Sequence, residues 1–318
     1  MAMSADFIWK NGELVRWEDA TVHVLSHALH YGTSVFEGLR AYEIGEDACV
    51  LCGPEHFERM IFSCKVAYAP SPYTVEQWMD ATADTLQANR HRSAYLRPLV
   101  FRGHGPSLAL DGREGPIDAI LASVPWGAYY SAEAQEQGID IQVGSWRRTG
   151  SGATAAMAKI GGQYVNSQFN LMQAHDSGFA EAVALDTQGF VSEGSGQNIF
   201  IVHDGVLITP TIANSILGGI TRYCIMTIAR DLGIEVREQN IPREMLYLAD
   251  EVFFSGTAVE ICPVRSVDRI VVGEGSIGPV TKALKDEFFG ILHGTRPDKR
   301  SWLTPVHVSM PAEERQTA

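Results

Sequence analysis

The sequence is poor in lysine: of its 25 basic residues only six are Lys and 19 are Arg. Positive charge is scarce altogether, since 38 acidic side chains leave a formal net charge of −13. No basic run and no interleaving of aromatics with Lys or Arg is present, which argues against nucleic acid and anionic membrane as partners. No stretch approaches eighteen uninterrupted apolar residues, the length a membrane-spanning helix needs. Met1 to Lys10 lacks the basic flank and apolar core of a signal peptide, and the expected location is the cytoplasm. Cysteine is sparse and odd in number, five in 318 residues, which fits reduced thiols rather than a disulfide framework. Low-complexity sequence is missing apart from a polar tail after about Val308.

What is present describes a folded chain with a small molecule as its default partner. Hydrophobic residues make up 45% and charged residues 20%, a globular balance. A chain of 318 residues exceeds one ordinary core, so two domains of mixed helix and strand are expected, with room for a deep cleft. The expected division is residues 1–125, an interdomain loop over 126–138, and residues 139–318.

Phe7 to Trp17 reads as a hairpin turning at Asn11-Gly12. The spacing of Phe57, Met60, Ile61 and Cys64 predicts a helix from Pro54 to Ala69, and Thr74 starts a second that runs to Asn89. Ser93 to Phe101 alternates as a strand in which Pro98 predicts an edge or a bulge. Gly103 to Gly115 is a polar, glycine-rich loop. Ile117 to Val124 is a buried strand, after which the pattern gives way to a polar connection, Ser131 to Gly138. A strand from Ile139 and a helix from about Gln163 to Asp176 follow. Glu181 to Glu193 and Asn198 to Ile208 predict a meander with turns at Gln188-Gly189 and Asp204-Gly205. Gly218 to Thr221 opens a helix reaching about Leu232, and Glu251 to Ser255 is a buried strand leading into a small-residue turn.

Against so few lysines, Lys159 stands apart. It is the only lysine between Lys65 and Lys282, set in Ala155-Ala-Met-Ala-Lys159-Ile-Gly-Gly-Gln-Tyr164. An amine in such surroundings can be neutralised by burial and attack a carbonyl to form a Schiff base, which an always-charged guanidinium cannot do. The other reading is a lysine whose stem snorkels out of a small-residue segment. A Schiff-base lysine would attach pyridoxal phosphate, and that cofactor makes three further demands. Gly218-Gly219-Ile220-Thr221 at a helix start offers free N–H groups, a positive dipole end and a hydroxyl for the phosphate. Glu193, inside the glycine-rich bend Ser192 to Asn198, can keep the pyridine nitrogen protonated. Tyr164 can hydrogen-bond the ring's phenolic oxygen.

Two groups suggest a metal instead. His23, His27 and His30 have i, i+4, i+7 spacing, and Cys49, Cys52, His56 and Cys64 would serve a zinc-binding, non-enzymatic module. In an extended Cys49-Val-Leu-Cys52 segment, however, the two thiols point to opposite faces, and no second paired motif accompanies it. Structural cysteines and no metal are expected.

Taken together, His30-Tyr31-Gly32-Thr33-Ser34-Val35-Phe36-Glu37-Gly38-Leu39-Arg40, Ala158-Lys159-Ile-Gly-Gly-Gln-Tyr164, Val191-Ser-Glu193-Gly194-Ser-Gly196-Gln-Asn198-Ile-Phe200, Gly219-Ile220-Thr221-Arg222 and Ser255-Gly256-Thr257-Ala258-Val259-Glu260 resemble the fold type IV (class IV) aminotransferases. The resemblance is strongest to the branched-chain amino acid aminotransferases and covers nearly everything from Asp6 to Leu292. It implies an α+β protein of two α/β domains, the D-amino acid aminotransferase-like architecture, with pyridoxal phosphate on Lys159 and Glu193 at the ring nitrogen. By the same resemblance Arg59 joins the Thr221 and Thr257 stretches at the phosphate, and Tyr164, Gly196, Ile220 and Gly256 are further cofactor contacts. The implied reaction passes the amino group of Leu, Ile or Val to 2-oxoglutarate by a ping-pong mechanism in which Lys159 acts as general base and then acid. Phe36, Tyr31, Trp126 and Tyr129 are the implied aromatic walls of the substrate pocket, beside Gly38. Tyr95, Arg97 and the Thr257-Ala258 backbone are the carboxylate contacts. In this family the site lies between the domains and borrows residues from a partner subunit, so at least a homodimer is implied. D-amino acid and (R)-amine transaminases and aminodeoxychorismate lyases share the fold and remain alternatives. The Gly103 to Gly115 loop departs from the family pattern and leaves side-chain preference open.

Overall fold

Asn11 and Gly12, both at positive φ, close a two-residue hairpin of the type that matches strand twist. It joins β1 (Phe7–Lys10) to β2 (Glu13–Arg16) with Lys10 opposite Glu13. The computed structural model describes residues 4–127 and 129–309, so Ala128 of the expected interdomain loop and the polar tail from Met310 lie outside the described residues. Backbone contacts divide the chain into two compact units, one of Met1–Gly127, Ala158–Gly162 and Gly290–Ala318, the other of Ala128–Met157 and Gln163–Phe289. The expected second domain, residues 139–318, differs from this at two places: the lysine segment and the chain beyond Gly290 return to the first unit. Hydrogen bonding is the reason. Ile160 forms an antiparallel bridge with Val35, and Leu303–His307 adds an edge strand.

The first unit continues with α1 (His27–Tyr31), β3 (Ser34–Phe36), β4 (Leu39–Ile44), β5 (Asp47–Leu51), α2 (Gly53–Val66), α3 (Val75–Asn89), β6 (Ala94–Arg102) and β7 (Ile117–Pro125). Its sheet runs Leu303–His307, β5, β4, β6, β7, β1, β2, with β3 also on β6. Pro98 is thus in a central strand, in regular register with β7, against the expectation of an edge or a bulge. The missing N–H costs nothing there, because Pro98 faces the gap between β3 and β4, where its carbonyl accepts the Glu37 N–H at 3.0 Å. Thr74 caps α3 through a reciprocal capping box with Gln77. The core stacks Phe57 on Trp78 with centroids 5.6 Å apart. Both are fully buried beside Met60, Leu86 and Leu96, and each contributes about 1.5–3 kcal/mol by leaving water. Val308 closes the same core.

The second unit holds α4 (Ala132–Gln137), β8 (Ile139–Val143), α5 (Tyr164–Asp176), β9 (Glu181–Leu185), β10 (Val191–Gly194), β11 (Asn198–His203), β12 (Val206–Thr209), α6 (Ile220–Asp231), β13 (Val236–Glu238), α7 (Met245–Leu248), β14 (Glu251–Gly256), β15 (Glu260–Val267), β16 (Ile270–Val271) and most of α8 (Pro279–Leu292), as far as Phe289. The sheet order is β10, β9, β8, β15, β14, β11, β12, β13, with β16 on β15. Two expectations change. Ser131 to Gly138 is a helix, α4, because the Ser131 hydroxyl accepts the Ala134 N–H at its start. The meander is two hairpins, β9–β10 and β11–β12, with β8, β15 and β14 between them in the sheet. No described helix is long and apolar enough to cross a membrane.

Candidate active site

Within the first unit, one face of α2 gathers the polar residues. His56, Arg59 and Ser63 follow i, i+3, i+7, the spacing of one helical face. Glu37, at the junction of β3 and β4, is fully buried and accepts from Arg59 Nε at 2.6 Å, Arg59 Nη2 at 2.8 Å and His56 Nδ1 at 2.8 Å. Burial pushes the Glu37 carboxyl up, but the Arg59 charge and the His56 hydrogen bond outweigh it and hold it far below the ordinary carboxylate range. Burial likewise pushes His56 down against the pull of Glu37, so His56 is a neutral ring donating through Nδ1. Ser63, further along, donates to the Arg59 carbonyl at 2.8 Å and accepts the Lys159 N–H at 2.9 Å. The Lys159 carbonyl in turn accepts the Phe36 N–H at 3.1 Å.

Lys159 is half-buried, and its Nζ lies 4.7 Å from the Phe36 ring centroid. Arg97 lies over the same ring at 4.9 Å and donates to the Tyr95 hydroxyl at 3.0 Å. Tyr95 packs on Trp126 with centroids 4.9 Å apart. Gly38 is required beside them, because an added Cβ would overlap the Tyr95 hydroxyl. The first unit thus joins Phe36, Gly38, Arg59, Tyr95, Arg97, Trp126 and Lys159 through shared contacts. Tyr31 donates its hydroxyl to the Leu108 carbonyl at 2.8 Å in the 103–115 loop.

Within the second unit Glu193, on β10, is buried. One oxygen is paired with Arg148 Nη2 at 2.7 Å, and the other accepts from the Leu217 N–H at 2.9 Å and from Asn198 Nδ2 at 3.2 Å. Arg148 also donates to Ser167 Oγ at 3.2 Å and to the Ser215 carbonyl at 3.4 Å. Asn198 links this acid to the start of α6 by donating to the Leu217 carbonyl at 2.9 Å. An added Cβ at Gly219 would overlap its Oδ1. Gly219 is the N-cap residue of α6 and supplies no side-chain cap, leaving the first N–H groups to attract an anion. Thr221 is buried in that first turn, and Tyr164 begins α5.

The bend that follows Glu193 is tied down separately. Glu181 accepts from Ser195 Oγ and Gln197 Nε2, both at 2.7 Å, around Gly196. Burial raises the Glu181 carboxyl above its ordinary value. Gly256, Thr257 and Ala258 form the end of β14 and the turn after it. Tyr129 is 46% exposed and meets Tyr130 edge to face.

Sequence reading missed Arg148, Asn198, Leu217, Ser63 and the use of Glu37 and His56. The polar stripe at 56, 59 and 63 was the available signal for the α2 set. Cys52 precedes α2 in a left-handed conformation, His56 is bonded to Glu37, and His23 lies outside α1. The five cysteines are buried and none is in a disulfide.

Residues 34–267 match the model of the family described as Amino-transferase class IV. The branched-chain-amino-acid aminotransferase of Salmonella typhimurium is 51% identical over 304 residues, covering 95% of this chain and 98% of that protein. The crystal structure of the Escherichia coli branched-chain amino acid aminotransferase superposes with a TM-score of 0.92 at 50% identity, covering 95% of this chain and all of that one. The T.th. branched-chain amino acid aminotransferase, solved in complex with N-(5'-phosphopyridoxyl)-L-glutamate, gives a TM-score of 0.90 at 40% identity, over 95% and 99% of the two chains.

Proposed function

The chain belongs to the class IV aminotransferases, and we propose that it is a pyridoxal phosphate-dependent enzyme moving the amino group of branched-chain L-amino acids to 2-oxoglutarate by a ping-pong mechanism. It works in the cytoplasm as at least a homodimer. The observation that carries this is in the second unit: a buried carboxylate, Glu193, is hydrogen-bonded to the segment that leads into the uncapped α6 N-terminus. A basic ring nitrogen and a phosphate on one molecule find their complements there, so the residues fit the cofactor. Pyridoxal phosphate, when bound, supplies a carbonyl carbon for the amine and a protonated ring that draws electrons from Cα.

This chain's own groups do the rest. Ile220 and Thr221 N–H groups, the Thr221 and Thr257 hydroxyls and Arg59 hold the phosphate, and Tyr164, Gly196 and Gly256 border the ring. Glu193 holds the proton at the ring nitrogen, and the charge of Arg148 and the two donors on its other oxygen keep that carboxylate ionised. Lys159 Nζ would attach the cofactor and, once the substrate amine has displaced it, would take the Cα proton as general base and return it as general acid. Its backbone is fixed from both sides by Ser63 and Phe36. Phe36, Tyr31, Trp126 and Tyr129 supply apolar walls. Arg97, Tyr95 and the Thr257-Ala258 backbone take a carboxylate. Support for the acceptor comes from the glutamate-bearing complex of the T.th. relative, and support for the donor from the names of the close relatives.

A donor screen with 2-oxoglutarate as acceptor tests the assignment. L-leucine, L-isoleucine and L-valine should be used fastest. Preference for D-alanine or an (R)-arylamine would move the protein to the neighbouring transaminases of the same fold, and release of a cleaved product without amino transfer would make it a lyase.

A further inference from the structure

Glu37 sits in a motif that the proposed chemistry leaves without a task, yet it is the most completely enclosed acid of the first half-site. It meets Arg59 side-on through Nε and Nη2, two donors on one carboxylate that fix the plane of the guanidinium. The two side chains are unequally enclosed, 0% exposed for Glu37 and 14% for Arg59. Behind the carboxylate, His56 adds a neutral donor, and the Gly38 N–H adds another at 3.2 Å. The same α2 face bridges the Arg59 carbonyl to the Lys159 N–H through Ser63. An arginine on a flexible stem loses rotamer freedom when it binds an anion, and a partner that fixes its plane beforehand removes that cost.

We propose that Glu37, backed by His56, is a positioning residue that presets the guanidinium of Arg59 for the phosphate of the cofactor. This rests on the reading of Arg59 as a phosphate ligand given above. Glu37 itself touches neither phosphate nor ring; it acts through Arg59. Its loss should weaken recognition of the phosphate and leave recognition of the ring unchanged, whereas a general loosening of the first unit would weaken both.

The test titrates the full chain, stripped of bound cofactor, with pyridoxal phosphate and with pyridoxal, which has the ring but no phosphate. Glu37→Gln should raise the Kd for pyridoxal phosphate by about tenfold or more, while the Kd for pyridoxal changes by less than about twofold. In an Arg59→Gln background, Glu37→Gln should add less than about twofold, because residues that act through one contact are not additive. Equal weakening of both ligands, or full additivity with Arg59→Gln, overturns the proposal. Should Glu37→Gln fail to fold, His56→Leu carries the same comparison, with an expected loss of about threefold confined to the phosphorylated ligand; an equal change for both overturns it. A parent protein that binds neither ligand overturns the cofactor reading, and this inference with it. Its own titration separates that result from a failure of Glu37 alone.

Discussion

A buried Glu–Arg pair is found in each unit, and in the proposed reading the two serve opposite ends. In the first, the acid is the hidden member: Glu37 is sealed and Arg59 is the partner nearer the surface, with side-chain exposures of 0% and 14%. In the second, the guanidinium of Arg148 is shared among Glu193, Ser167 and Ser215, and it serves as the anchor of the acid. In the proposed reading, one pair would hold up a cation for a phosphate and the other an anion for a ring nitrogen. A buried ion pair is weak evidence for stability, because desolvation offsets much of the attraction. What it supplies here is orientation of the two side chains.

The sharpest way to break this comparison is to delete the hidden member of a pair. Glu37→Ala leaves Arg59 enclosed without its counter-charge and should destabilise the protein by about 3–5 kcal/mol, read by urea denaturation with an unchanged slope. In the other pair, Glu193→Gln keeps the shape and removes the charge. It should slow Cα-proton removal by one to two orders of magnitude, about 1.4–3 kcal/mol in the barrier, in a single-turnover assay. A parent-like rate would make Glu193 structural and remove the opposition between the pairs. In Gly219→Ala the added methyl overlaps Asn198 Oδ1 and disturbs the bonds of Asn198 to Leu217 and Glu193, which should cost about 1–3 kcal/mol of stability, with weaker cofactor retention.

The smallest effect is on acid stability. The Glu37 carboxyl lies below its unfolded value, so its contribution is complete above about pH 4.3 and is lost as pH falls toward the depressed folded value. Denaturation midpoints followed from neutral to acid pH should therefore decline less steeply in Glu37→Gln than in the parent. Equal slopes would mean that Glu37 is not the ionised partner.

Local chemistry made much of this readable in advance. Asn11-Gly12 specifies its hairpin, Thr74 starts α3, and Lys159 and Glu193 stand out because an amine among alanines and an acid in a glycine bend have few local uses. What escaped is nonlocal. Arg148 lies far along the chain from Glu193, and nothing in Trp146-Arg147-Arg148 says which guanidinium turns inward. Pro98 reads as an edge or a bulge until the break between β3 and β4 is known, and Leu303–His307 carries no sign that it returns to β5. Such pairings are decided by packing, which a pattern along the chain does not encode.

The central claim is that Lys159 carries the cofactor. Borohydride reduction of the holoenzyme followed by peptide mapping should place one phosphopyridoxyl group on the peptide containing Lys159 and leave Lys10, Lys65, Lys282, Lys285 and Lys299 unmodified. A label on any of those five, or a protein that takes up none, would contradict it.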